Sequence, residues 1–69
     1  MKCIIVHKTE RTRKTYLQKA EHIKETEQVT YTTDINKALI FATKPAANQM
    51  MREFVILQKF AEVQKYEER

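Results

Sequence analysis

Four consecutive apolar residues, Cys3-Ile4-Ile5-Val6, open the pattern of the chain, and three of them are β-branched. A run that is apolar at every position fits a strand covered on both faces, so a central strand is expected over residues 2–8. After a polar, basic stretch, Tyr16, Gln18, Ala20 and His22 alternate with Leu17, Lys19, Glu21 and Ile23, which predicts a second, weaker strand over 15–23. Gln28-Val29-Thr30-Tyr31-Thr32-Thr33 alternates with period two in residues of high β-propensity and predicts a third over 27–33.

The period then changes. Asp34 is an N-cap type residue, and Ile35, Ala38 and Leu39 recur at helical spacing, which predicts a short helical turn over 34–39. Thr43-Lys44-Pro45 supplies a capping hydroxyl and a proline in the first turn, so the main helix is expected to begin at about 44. On that helix Ala47, Met50, Met51, Phe54, Leu57 and Ala61 fall on one side, the core face. Ile56, Phe60 and Val63 fall nearly opposite, and two readings follow. Either the helix stops near Lys59 and residues 60–66 form a C-terminal strand, or a long helix carries a second apolar stripe that wants a partner. The strand is slightly preferred, although residues 57–62 contain no Gly or Asn to end a helix. The expected fold class is α+β: a three-stranded antiparallel sheet, the short turn, one main helix and the optional fourth strand.

The chain has 69 residues, and with no linker, repeat or low-complexity tract it reads as one domain over 1–69. It has no Gly and no Ser. Phosphate-cradling loops and dinucleotide turns depend on glycine, and hydrolase elbows on serine, so those chemistries are excluded. The same lack of glycine argues against tight two-residue hairpins that need positive φ, and leaves longer or helical connections as the expectation. A single Cys rules out an intramolecular disulfide, and the Cys3–Val6 run is too short for a signal-peptide core or a membrane span. A cytoplasmic protein with no membrane contact is expected.

Net charge is +4 and unevenly placed. Residues 1–26 carry seven Lys and Arg against three acids, whereas residues 27–69 carry six against six. That imbalance points to an acidic partner, either nucleic acid or an acidic protein surface. Its focus is the segment Lys8 to Lys14, where Lys8, Arg11, Arg13 and Lys14 can point at phosphates or carboxylates together. Tyr16 ends this segment, and Tyr31 is expected beside it across the sheet, offering rings of the sort that stack on bases. The plainer account of the segment is a solvated loop whose charge discourages edge aggregation.

Catalytic and metal chemistry find little support. Cys3, His7 and His22 are the only soft ligands, Cys3 and His7 would lie about 13 Å apart on one strand face, and no chelating spacing occurs. A Cys3-His22-Asp34 relay can be drawn, but a thiol within an apolar strand lacks the exposed, electropositive setting a thiolate needs. No catalytic, cofactor-binding or metal-binding residue is assigned, and no cofactor is expected.

The segment Tyr31 to Ala47, a strand ending in an Asp-capped turn with Ala and Phe and then a Thr-capped helix, resembles small phage-encoded accessory proteins. In size and Lys/Glu-rich composition the chain is also similar to phage proteins that block host or defence machinery, anti-CRISPR proteins among them. The resemblance implies a non-enzymatic inhibitor that occupies the surface of a host or defence protein, such as a CRISPR effector. Many anti-CRISPR proteins are acidic and this chain is basic, which speaks against nucleic-acid mimicry. On this reading the basic loop steers association, and the apolar helix surface around Ile56 and Phe60 makes the desolvated contact. Two other expectations stand beside it: a small nucleic-acid-binding module using the 8–14 loop, and a homodimer through the C-terminal apolar stripe.

Overall fold

The computed structural model describes residues 1–8 and 14–66. In chain order it contains β1 (Cys3–His7), β2 (Tyr16–Ile23), β3 (Thr26–Thr32), a 3-10 turn (Ile35–Lys37), α1 (Lys44–Glu53), α2 (Val55–Phe60) and β4 (Ala61–Lys65). The strands form one antiparallel sheet in the order β3-β2-β1-β4, so the fold is α+β. The optional C-terminal strand forms, making the sheet four-stranded, and it pairs with β1 along the whole of that strand.

As its composition predicts, β1 is internal, and Cys3, Ile4, Ile5 and Val6 are all buried. It meets β2 at Val6↔Tyr16, where the His7 N–H donates to the Thr15 carbonyl at 3.0 Å. Further along, residues 39–41 supply the partners. The Leu39 N–H donates to the Leu17 carbonyl at 2.9 Å, while Phe41 and Cys3 exchange bonds of 2.8 and 2.9 Å. This bridge satisfies backbone groups that burial would otherwise leave costly.

Both helix starts are side-chain capped, though in different ways. Thr43 accepts from the Ala46 N–H at 3.3 Å and Pro45 sits in the first turn of α1, as its sequence predicts. One continuous helix to about Lys59 does not form, because Phe54 is extended at φ −125°, ψ 110° and divides α1 from α2. Phe54 has no side-chain cap of its own to offer; Glu27 of β3 provides one instead, accepting from Val55 N–H at 2.8 Å and Ile56 N–H at 3.0 Å. The break lets both apolar sides of the segment reach one core. Phe54 and Leu57 are buried with Ile5, Leu17 and Ala61, and Met50, Met51, Ile56 and Val63 pack against them. The second helical stripe of Ile56, Phe60 and Val63 therefore does not form, since Val63 belongs to β4 and Ile56 faces inward.

A bulge at Gln18 fixes which residues of β2 face the helices. Leu17 pairs with Tyr31 but Lys19 pairs with Thr30, so one residue of β2 is extra. Side chains alternate along a strand, and without the extra residue Lys19 and Glu21 would follow Leu17 onto the helix-covered face. With it, Ala20 opposite Val29 and His22 opposite Glu27 take that face, and the His22 ring stacks on Phe54 at 4.3 Å and 10°.

One expectation is overturned outright. Ile23 pairs with Thr26, so β2 and β3 are joined by the two-residue turn Lys24-Glu25, with φ at 49° and 67°. The twist of a two-residue hairpin demands the left-handed region at both positions, and the long β2–β3 pairing imposes it on residues other than glycine. No helix among the described residues is long and apolar enough to cross a membrane.

Candidate functional site

Two surfaces gather the residues that the chain's chemistry singles out, one on each face of the sheet. Ile4 and Val6 point away from Ile5 and His7 because neighbours on β1 alternate, and the helices cover the Ile5 side.

On the helix side, at the end of β1, the basic segment begins next to an exposed aromatic. The Lys8 N–H donates to the Phe60 carbonyl at 2.8 Å. The His7 ring stacks on Phe60 with centroids 6.2 Å apart and planes at 5°, and meets Tyr31 edge-on at 5.0 Å. Phe60 remains 43% exposed and Lys8 is exposed. Arg11 and Arg13 lie outside the described residues.

The opposite face carries a cleft of about 640 Å³. Its apolar lining comes from Ile4 of β1 and Ile35 of the 3-10 turn, held in place where Asp34 Oδ1 accepts from the Asn36 N–H at 2.9 Å. Tyr16 and Lys14 enter from the β2 side, and Gln64, Lys65 and Tyr66 from the end of β4, with Asn36 on the turn between. Tyr66 is anchored by its N–H, which donates to the Lys2 carbonyl at 2.9 Å. The Gln64 Nε2 donates to Glu62 Oε1 at 2.9 Å.

The residues expected to bind a partner are thus divided. Lys8 and Phe60 share one corner, while Lys14 and Tyr16 belong to the cleft on the other face. Tyr31 does not stand beside Tyr16: it pairs with Leu17, Tyr16 pairs with Thr32, and adjacent strand positions face opposite ways. Its ring packs against the core and its hydroxyl is buried with no hydrogen-bond partner among the described residues, a burial that raises its pKa. Ile56 packs against the core rather than standing out from the helix.

Gln64, Lys65, Tyr66, Asn36 and Ile35 were not singled out by sequence. A signal for two of them did exist: in a strand whose Ala61 and Val63 face the core, Gln64 and Tyr66 must face the other side. What could not be read was that the turn after Asp34 folds over that same side.

Cys3 is 2% exposed, and its Sγ donates to the Met1 carbonyl at 3.8 Å. His22 Nε2 lies 3.7 Å from Glu27 Oε2. The N–H groups of Ile56 and Val55, aided by His22, hold the Glu27 carboxyl below the usual carboxylate range. This His–Glu pair is a structural clasp between the sheet and α2. Among the described residues, no three His, Cys, Asp or Glu side chains group so as to hold a metal ion.

Comparison with known protein families, characterised proteins and solved structures finds no match to this chain.

Proposed function

We propose that this protein is a non-enzymatic binding factor that acts by occupying the surface of another protein. The observation that supports this reading best is the corner where Lys8, the first residue of the basic segment, is hydrogen-bonded to the backbone of the half-exposed Phe60. An exposed aromatic side chain at the start of a basic segment has the make-up of an interface anchor, in which the ring is desolvated and the charges speed encounter with an acidic partner. Burial of Cys3, the chain's only thiol, supports a role without nucleophilic chemistry. The resemblance to phage accessory proteins makes a bacterial host or defence protein the partner to seek first, with inhibition as the consequence of binding.

Affinity capture from a bacterial lysate tests the corner. A protein retained by the wild-type chain is expected to be lost from both Phe60→Glu and Lys8→Glu, by at least tenfold in recovered amount. Phe60 is partly solvated already, so both variants should keep their circular dichroism and melting behaviour. Equal recovery by folded variants contradicts the assignment.

A further inference from the structure

We propose that the cleft on the face opposite α1 and α2 is a binding site for single-stranded nucleic acid, with bases stacked on Tyr16 and Tyr66 and backbone phosphates met by Lys14. This is independent of the protein-binding corner, which lies on the other side of the sheet.

The chemistry of the lining carries the inference. The cleft combines the three kinds of group that a single strand requires: aromatic planes, cations and side-chain amides. Among the described residues, no carboxylate lines it. Glu62, which stands on the same face, is engaged by the Gln64 amide nitrogen, and the Gln64 and Asn36 amides both line the cleft. Such amides suit the donor and acceptor edges of an unpaired base. An acidic peptide would use the lysines, but would leave both rings and both amides without a role.

The register fixes the length of ligand. Tyr16 stands opposite Val6 on one side of β1, and the Tyr66 backbone bonds to Lys2 on the other side. Four residues along a strand and two strand spacings across it put the two Cα atoms about 16 Å apart. That is too far to clamp one ring, so each tyrosine serves a different base and the site suits an oligonucleotide better than a mononucleotide. Lys14, two residues before Tyr16, stands on the same face as this diagonal.

The test is fluorescence anisotropy of the full chain with labelled ten-nucleotide poly-U and poly-dT at low and moderate salt, competed with UMP and with polyglutamate. Binding is expected to fall with salt, and Tyr66→Ala to weaken it about five- to hundredfold, the range for losing one stacked base. Tyr66→Phe should retain it, which separates stacking from a folding defect. Lys14→Gln should flatten the log–log salt slope by about 0.7. Competition by UMP at concentrations comparable to the oligonucleotide would identify a free nucleotide as the source of the same base-and-phosphate chemistry. The proposal is overturned by no binding at low salt, by binding indifferent to folded Tyr66→Ala, or by equal competition from polyglutamate, since each leaves charge alone or nothing at all.

Discussion

Lys24 and Glu25 are the residues at which the chain departs furthest from local preference. Both occupy the left-handed region, where a Cβ crowds the following carbonyl at a cost of roughly 1–2 kcal/mol per residue. Glycine carries no such cost, and replacing Glu25 with it leaves every strand pair untouched. Glu25→Gly should stabilise the protein by about 1 kcal/mol, which in a domain of this size raises the melting temperature by about 4–8 °C. A thermal melt checks this, and an unchanged or lower midpoint would mean the turn is not strained. The absence of glycine argues for long connections; in the fold, Lys24-Glu25 marks instead where pairing along β2 and β3 overrides residue preference. Local capping, by contrast, is legible at the 3-10 turn and at α1. Thr43, Pro45 and Asp34 act where their chemistry says, because each of these caps joins residues only two or three positions apart.

At the scale of elements, local pattern locates the first three strands and the start of α1, leaves residues 60–66 open between strand and helix, and long-range contacts decide the rest. The alternation in β2 was visible, but not the bulge at Gln18 that turns Ala20 and His22 toward the helices. Nothing near Phe54 announces a helix break either, since the residue that caps α2, Glu27, is contributed from the far strand of the sheet. That contact makes a pH prediction with a definite sign. Glu27 is shifted down from its ordinary value of 4.5, so the folded state favours its ionised form. The contribution is fully present above that value and is lost as pH falls through the lower, folded-state value. Glu27→Gln should therefore melt below wild type at pH 7, and the gap should narrow progressively below pH 4.5. Melts that stay equally far apart at pH 3 would contradict the capping role. The same reasoning explains what became of the apolar C-terminal stripe. Ile56 and Val63 read as unpartnered only while residues 44–66 are taken as one helix, and the break together with β4 turns both inward.

For the molecule as a whole, the sheet separates two surfaces that the sequence presents as one. Lys8, Lys14, Tyr16 and Tyr31 are close in sequence or in strand register, which suggested a single basic and aromatic patch. The fold instead joins the Lys8 backbone to Phe60 at the end of β1, while strand alternation sends Lys14 with Tyr16 to the cleft and Tyr31 into the packed interior. The cations were legible because charge is written in the chain. Their division was not, because it depends on which way each strand faces. On the function proposed above, the Lys8–Phe60 corner is where a partner protein is held. Site-specific photo-crosslinking in bacterial cells tests it most directly, with benzoylphenylalanine placed at position 60, at position 66 in the cleft, and at position 23 on the distant hairpin as background. The account predicts a discrete protein adduct from position 60 that is absent from position 23 and lost when Lys8 is changed to Glu. An adduct of equal yield from all three positions, or none from position 60, would contradict it.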